Sequence, residues 1–211
     1  MRGECCRLVD VEVVTSGEVP AYDEPILLVA NHTSWLDPYA LNCVSGARFV
    51  AKSEVASWPV IGVSSKRFGT FFLVRGSCRA AARVKNELTR ALRGRDPVGV
   101  FPESTTSCGD TVLRFYPAMF QAAIDACVMI QPVAIRYRTK DGKPTDAAAF
   151  IDDMRVVDSL RLLLSASPLV VELIFCAPLY SRSRIRKELA ARSRVCSSWT
   201  PCKSPTTISK S

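Results

Sequence analysis

A run of five apolar residues, Ile26-Leu27-Leu28-Val29-Ala30, constrains the fold of this chain more than any other feature. Pro25 precedes the run and the polar pair Asn31-His32 follows it, which is typical of a short buried strand. A strand that is apolar on both faces is covered on both faces, as in the parallel sheets of α/β proteins. The polar pair then lies at the carboxyl end of the strand, where open α/β sheets usually place their chemistry.

Strands and helices alternate along the rest of the chain. The clearest helix is Cys78–Arg93, because its apolar residues recur at helical spacing and Gly94 closes it. Other strands are predicted at 9–14, 47–51, 70–75, 97–101, 128–136 and 169–175, and helices at 37–43, 117–127 and, in a basic stretch, 181–195. This order predicts a single α/β domain with a mostly parallel central sheet flanked by helices. The domain is predicted to span residues 1–195, with a motif core at about 25–179 and a disordered tail at 196–211.

The charge balance limits the partners of the chain. The net charge is +8 over 211 residues, which favours an anionic partner: nucleic acid, a membrane surface or a phosphorylated substrate. No signal peptide is recognised, and the longest apolar region, residues 160–180, is interrupted by charged residues and prolines. The sequence therefore predicts no transmembrane helix, and any membrane contact is expected to be peripheral.

The cysteines and the histidine argue against metal and disulfide chemistry. Nine cysteines are scattered along the chain without a Cys-x-x-Cys pair, so they are interpreted as reduced thiols in a cytosolic compartment. His32 is the one histidine, which gives a zinc site little support. A general base that works near neutral pH is most often histidine, and Asp37 follows five residues later, where a turn would let its carboxylate orient the imidazole. On spacing alone, a structural histidine remains the alternative.

Two further runs carry chemical groups. Residues 69–75 read Gly-Thr-Phe-Phe-Leu-Val-Arg, which predicts a strand that ends in Arg75. The Arg75 guanidinium could bind an oxyanion or a phosphate, and the alternative is an ordinary surface arginine. Residues 101–107 read Phe-Pro-Glu-Ser-Thr-Thr-Ser, which places Glu103 and several hydroxyls after a strand. The alternative for the second run is a turn in which serine or threonine caps a helix.

Together these runs resemble the PlsC-type glycerophospholipid acyltransferases. That family carries Asn-His-x4-Asp, then Gly-x-x-(Phe/Tyr)-(aliphatic)-x-Arg, then Phe-Pro-Glu-Gly-Thr-x-Ser, then an apolar strand containing proline. The matching residues here are 31–37, 69–75, 101–107 and 128–135 with Pro132, in the same order. The resemblance covers about residues 25–179, which is most of the chain.

The resemblance implies a reaction and a set of roles. A fatty acyl group would pass from acyl-CoA or acyl carrier protein to the free hydroxyl of a lysophospholipid, here 1-acylglycerol 3-phosphate giving phosphatidic acid. His32 would be the general base and Asp37 would orient it. Arg75 would bind the acceptor phosphate, and Glu103, Ser104 and Thr105 would help to position the acceptor. Amides near the start of the helix that follows Asp37 are expected to stabilise the oxyanion.

The resemblance also implies partners and a location. The thioester is a co-substrate, and neither a metal nor another cofactor is expected. Partners are the lysophospholipid, the acyl thioester with acyl carrier protein as one possible donor, and an anionic membrane surface, but not nucleic acid. The chain is expected to lie peripherally on the cytoplasmic face of the membrane. Many members have apolar N-terminal helices that anchor them, so this chain is expected either to reach the membrane through other surfaces or to have lost its anchor.

One motif residue departs from the family pattern. Ser104 stands where members carry glycine, and glycine at such a turn often serves a positive φ angle. A serine there would cost on the order of 1 kcal/mol and add bulk beside the substrate. Two alternatives therefore remain: the same fold acting on another lyso-lipid, such as a lyso-aminolipid, or an inactive basic relative that binds lipid or nucleic acid.

Overall fold

The computed structural model describes residues 11–20, 24–59, 61–74, 76–151, 154–165, 168–182, 184–198 and 206–207. The strands in these ranges are β1 Val11–Gly17, β2 Ile26–Ala30, β3 Arg48–Lys52, β4 Phe71–Leu73, β5 Val98–Val100, β6 Met129–Thr139, β7 Leu169–Phe175, β8 Leu179–Tyr180 and β9 Thr206–Thr207. The α-helices are α1 Asp37–Ser45, α2 Ile61–Arg67, α3 Cys78–Arg93, α4 Gln121–Ala126, α5 Val156–Ser165 and α6 Arg186–Ser198, and the 3-10 helices are Ser53–Ser57 and Pro117–Phe120.

The central sheet is mostly parallel, as the sequence predicts. Its described strands follow the order β4-β3-β5-β2-β6-β7-β1-β9, with β8 beside β6. In sheet order, every neighbouring pair from β4 to β6 is parallel, and β1 is parallel to β7. Antiparallel pairs join β6 to β7 and β8, and β1 to β9. Helices flank this sheet, so the predicted α/β architecture is confirmed.

Strand β2 lies near the middle of the sheet and supplies both hydrophobic cores. All five of its residues are between 0 and 3% exposed. Leu28 and Ala30 pack into a cluster that includes residues of α1, whereas Leu27 and Val29 pack into a cluster that includes residues of α3. Because side chains alternate between the faces of a strand, an all-apolar strand is buried on both sides.

Helix α3 has the predicted boundaries. Ser77 caps it, since the Ser77 hydroxyl accepts a hydrogen bond from the Ala80 amide at 3.1 Å, and Gly94 ends it. Val84, Leu88 and Leu92 are buried in the cluster that covers one face of the sheet. Packing of its apolar face therefore stabilises the helix, and the spacing of these apolar residues is visible in the sequence.

Other boundaries differ from the prediction. The segment predicted as one helix at 117–127 divides into a 3-10 turn and α4, and Cys127 ends α4 with a φ of 56°. Strand β6 continues to Thr139, because its second half pairs with β7 after its first half has paired with β2. The strand predicted at 9–14 continues to Gly17 as β1, and its predicted start lies outside the described residues, as do all of residues 1–10.

The predicted tail at 196–211 is only partly described. Helix α6 continues to Ser198, so residues 196–198 are helical rather than disordered, and Thr206–Thr207 pairs with Val14 and Thr15 of β1. Residues 199–205 and 208–211 lie outside the described part. Among the described helices, none has the length and apolar character needed to cross a bilayer.

Candidate active site

The site lies where β2 and β5 end. These strands are parallel neighbours, with Leu27 opposite Val98 and Val29 opposite Val100. His32 follows β2 and the 101–107 loop follows β5, so two runs that lie about seventy positions apart in the sequence meet at one sheet edge. This is the carboxyl edge, where open α/β sheets place their ligands.

A tight turn brings Asp37 back to His32. The His32 Nδ1 atom lies 2.8 Å from Asp37 Oδ2, and the same oxygen accepts the Thr33 amide at 2.7 Å and the Ser34 amide at 2.9 Å. The Asp37 side chain is fully buried. The five-residue spacing is thus closed by a loop that folds onto the carboxylate of the first residue of α1.

The pairing sets which nitrogen of His32 can act as a base. An ionised carboxylate accepts hydrogen bonds and has none to donate. Nδ1 therefore carries the proton, and Nε2 of the neutral imidazole keeps its lone pair. The imidazole is 20% exposed and stacks on Phe101, with ring centroids 4.1 Å apart. The Phe49 ring also stacks on Phe101, with centroids 5.5 Å apart. The Phe49 ring lies so close to Gly99 that a Cβ on Gly99 would be 2.1 Å from it.

Glu103 supports the backbone of His32. Its Oε1 accepts the His32 amide at 2.9 Å and its Oε2 accepts the Leu113 amide at 2.9 Å. Burial raises the pKa of the Glu103 carboxyl above its ordinary value, and the two backbone hydrogen bonds oppose that shift. The Ser107 amide completes the link by donating to the His32 carbonyl at 2.9 Å. The structure therefore places Glu103 where it supports the backbone of His32, and contact of Glu103 with an acceptor lipid stays a prediction.

An apolar cavity of about 190 Å³ opens beside His32. Its wall includes Phe49, Val50, Phe68, Leu73 and Met119, and its polar lining includes His32, Lys52, Ser104 and Thr105. The structure thus brings Ser104 and Thr105 to the same cavity as His32. Arg75 lies outside the described residues, so its role remains a prediction from the sequence.

The amides at the start of α1 are already engaged. The Leu36 amide donates to the Ser34 hydroxyl, and the Asp37 amide donates to the Ser34 carbonyl. The Tyr39 and Ala40 amides donate to the Leu36 carbonyl, while Pro38 has no amide hydrogen. The expectation that these amides stabilise an oxyanion is therefore not supported by their hydrogen bonds.

Ser104 adopts the backbone conformation that the family's glycine would suit. Its φ angle is +60°, in the left-handed region that side chains with a Cβ rarely occupy. We expect Ser104→Gly to relieve about 1 kcal/mol of strain, part of which the greater chain entropy of glycine offsets. The net result should be a melting temperature raised by roughly 1–3 °C in a calorimetric scan.

Cys127 provides the matched control for Ser104. It is also a non-glycine residue in the left-handed region, with a φ of +56°, but it is not among the residues that line the cavity. Cys127→Gly should raise the melting temperature similarly and leave acyl transfer unchanged. A melting temperature that falls in Ser104→Gly would show that the serine side chain stabilises the turn more than its backbone strains it.

Two residues of the site have roles that the sequence interpretation did not assign. The Tyr137 hydroxyl donates to Asp37 Oδ1 at 2.7 Å. The Asn31 side chain bonds both backbone groups of Ile135, accepting its amide at 2.7 Å and donating to its carbonyl at 3.0 Å. A signal for Tyr137 was available, because Val133, Ile135 and Tyr137 alternate on one buried face of β6, whereas the predicted strand stopped at residue 136.

Comparisons with known proteins show the family of this chain. A model of the family described as Acyltransferase matches residues 10–136. The chain is 35% identical to the lyso-ornithine lipid O-acyltransferase of Pseudomonas aeruginosa over 90% of this chain and 72% of that protein. It is 36% identical to a 1-acyl-sn-glycerol-3-phosphate acyltransferase of Neisseria gonorrhoeae over 68% of this chain, but it spans only 56% of that relative.

A solved structure adds a match in three dimensions. The crystal structure of the 1-acyl-sn-glycerophosphate acyltransferase PlsC of Thermotoga maritima is similar, with a TM-score of 0.63 and 25% identity. The match covers 92% of this chain and 76% of that one. The family model spans more than half of the chain, and the relatives and the fold agree with it. The chain therefore belongs to the acyltransferase family and is an O-acyltransferase.

Proposed function

We propose that this protein transfers a fatty acyl group from a thioester of coenzyme A or acyl carrier protein to the free hydroxyl of a lysophospholipid. The acceptor that we propose first is 1-acylglycerol 3-phosphate, which would give phosphatidic acid. The observation that carries the proposal is the His32–Asp37 pair, in which His32 lies on the wall of an apolar cavity. A base beside an apolar cavity suits a reaction between a hydroxyl and a long hydrocarbon chain.

The proposed step is a direct transfer. Nε2 of His32 takes the proton of the acceptor hydroxyl while that oxygen forms a bond to the thioester carbonyl carbon. The carbon–sulfur bond then breaks, and the leaving thiolate receives the proton from the imidazolium. Asp37 holds the ring and stabilises the imidazolium between the two proton transfers. The products are the ester and a free thiol, and no acyl-enzyme forms.

The two substrates differ in the surroundings that they need. We propose that the acyl chain of the donor occupies the cavity, because burying apolar surface is favourable by about 25 cal/mol per Å². The acceptor phosphate would approach the polar lining of the cavity, where Ser104, Thr105 and the exposed Lys52 lie, and Arg75 would contribute as the family resemblance implies.

A second acceptor class is supported by the relatives. Several proteins that are 33–36% identical to this chain are named lyso-ornithine lipid O-acyltransferases, and the Pseudomonas aeruginosa protein is matched over most of both chains. An ornithine head group carries no phosphate, so it would not use Arg75 as a phosphate ligand. The second candidate is therefore O-acylation of a lyso-ornithine lipid by the same catalytic pair.

The experiment offers both acceptors with both donors. Lysophosphatidate and lyso-ornithine lipid are presented separately in anionic vesicles with acyl-CoA or acyl carrier protein thioester, and product formation is followed by mass spectrometry. Turnover with one acceptor identifies the substrate class. If the protein binds the vesicles but transfers no acyl group to either acceptor, the inactive lipid-binding alternative replaces this proposal.

We also propose that the protein binds an anionic membrane peripherally, at its cytoplasmic face. No acidic residue lies between Glu54 and Glu87, and this stretch includes α2. The inner face of α2 lines the cavity through Ile61 and Ser65, while Lys66 and Arg67 on the same helix are exposed. A basic surface over the cavity would place the cavity near anionic lipid.

Reversing these two charges should weaken membrane binding. Each basic residue near an anionic surface contributes about 1 kcal/mol, so Lys66→Glu with Arg67→Glu should lower vesicle affinity at least about 30-fold. The effect should shrink in high salt. The matched control is Arg186→Glu with Lys187→Glu, an exposed pair on α6. If only the α6 variant loses affinity in a vesicle sedimentation assay, α6 and not α2 faces the lipid.

A further inference from the structure

The buried carboxylate of Asp37 is held from two directions. Its Oδ2 accepts the His32 ring and the amides of Thr33 and Ser34, all from its own loop. Its Oδ1 accepts the Tyr137 hydroxyl at 2.7 Å from a strand that lies 100 positions away in the sequence. Tyr137 is 5% exposed and Asp37 is 0% exposed, so this hydrogen bond is shielded from water.

We propose that Tyr137 is a positioning residue that acts on His32 through Asp37. It fixes the rotation of the carboxylate, and it sets how strongly that carboxylate holds the imidazolium. The part of this inference that concerns turnover rests on the proposed acyl transfer. The part that concerns the protonation of His32 does not.

The rigid attachment of Tyr137 explains how it fixes the rotation of the Asp37 carboxylate. The terminal torsion of an aspartate is soft, so a carboxylate bonded through one oxygen alone can turn. Tyr137 anchors the second oxygen from β6, and β6 is itself joined to the residue before His32. Asn31 makes both hydrogen bonds to Ile135, two residues before Tyr137 on the same strand. The base and the tyrosine therefore approach Asp37 from two mutually attached elements.

The electrostatic effect has a definite sign. The Tyr137 hydroxyl stabilises the negative charge of Asp37, which leaves less of that charge to stabilise a protonated His32. Without the hydroxyl, the imidazolium is held more strongly and persists to higher pH. Among the described residues, the charged and titratable groups around His32 include Asp37 on α1, Glu103 after β5, and Tyr39 and Lys52 on the cavity wall. All of them remain in a Tyr137→Phe variant.

The single histidine makes the effect directly measurable. In this 211-residue chain without a histidine tag, every imidazole ¹⁵N signal comes from His32. We expect Tyr137→Phe to move the midpoint of the His32 titration to higher pH, since the carboxylate then holds the imidazolium more strongly. The acidic limb of the kcat/KM profile should move in the same direction. Loss of the fixed rotation should lower kcat about tenfold while KM changes little.

A buried tyrosine of similar surroundings serves as the spectroscopic control. The Tyr39 hydroxyl lies 2.6 Å from the Ser64 hydroxyl on α2. Tyr39→Phe should leave the His32 titration midpoint in place. If Tyr137→Phe also leaves the midpoint in place, Tyr137 does not act through Asp37 and the proposal is overturned.

A second variant covers the case in which Tyr137→Phe does not fold. A 3-fluorotyrosine introduced only at position 137 keeps the ring and hydroxyl and is a stronger donor. It should move the His32 midpoint to lower pH, opposite to phenylalanine, and a shift in the other direction or no shift contradicts the proposal. If the wild type transfers no acyl group to either acceptor, the proposed function fails while the titration still decides this inference.

Discussion

Substitution of His32 by alanine is expected to lower kcat for acyl transfer by about 10³-fold, within the range that a positioned general base contributes. The chain has no second histidine, so no other imidazole can take over the proton transfer. Binding to anionic vesicles should be unchanged, because the imidazole is only 20% exposed and lies on the cavity wall. The measurement pairs initial rates of product formation with vesicle sedimentation for the wild type and the variant.

The control for this substitution separates chemistry from folding. The imidazole stacks on Phe101, so its removal also leaves a gap beside the ring. His32→Gln fills more of that gap but supplies no base, and it should be as inactive as alanine. Imidazole added to His32→Ala should restore part of the rate. A variant that keeps more than a tenth of the wild-type kcat would show that His32 is not the base.

The parts of the fold that the sequence predicts are those held by local hydrophobic pattern. Strand β2 is apolar at every position, and α3 repeats apolar residues at helical spacing. Both were therefore predicted with the boundaries that the structure shows. The antiparallel pairing of β6 with β7 was not predicted, because pairing depends on contacts between residues far apart in sequence. Helix α2 was also missed, since it is short and contains Gly62, whose Cβ would lie 2.6 Å from the Ala56 carbonyl oxygen. Tertiary packing, not propensity, makes that helix.

The site, like the fold, has parts that the sequence predicts and parts that depend on tertiary contacts. His32, Asp37 and the 101–107 loop were identified because their residue types recur in a family motif, and the structure brings them together. The motif does not say what each side chain touches. Glu103 turns its carboxylate toward backbone amides, and Tyr137 reaches Asp37 from β6, which no spacing within the first motif indicates. Contacts of this kind depend on strand register, which a single sequence does not specify.

Replacing Asp37 with asparagine is expected to lower kcat by about 10²–10⁴-fold, as the loss of a buried orienting carboxylate does in catalytic triads. The amides of Thr33 and Ser34 point at one oxygen, so asparagine should keep its carbonyl there and its NH2 toward Tyr137. The fold and the orientation of the ring should therefore survive. What is lost is the negative charge that stabilises the imidazolium. Asp125→Asn, at a carboxylate paired with Lys85 on the protein surface, should leave kcat unchanged.

Combining the changes at Asp37 and Tyr137 tests whether they act through one path. In the wild type, Tyr137→Phe alters His32 through the charge and the rotation of the Asp37 carboxylate. In Asp37→Asn the charge is absent, and the amides of Thr33 and Ser34 fix the rotation because only the side-chain oxygen accepts them. Tyr137→Phe should therefore cost little further kcat in the Asp37→Asn background, so the two effects should be strongly non-additive. Rates for the four proteins, measured with the same acceptor and donor, give the coupling directly. Equal costs of Tyr137→Phe in both backgrounds would mean that the tyrosine supports the site by packing and not through the aspartate.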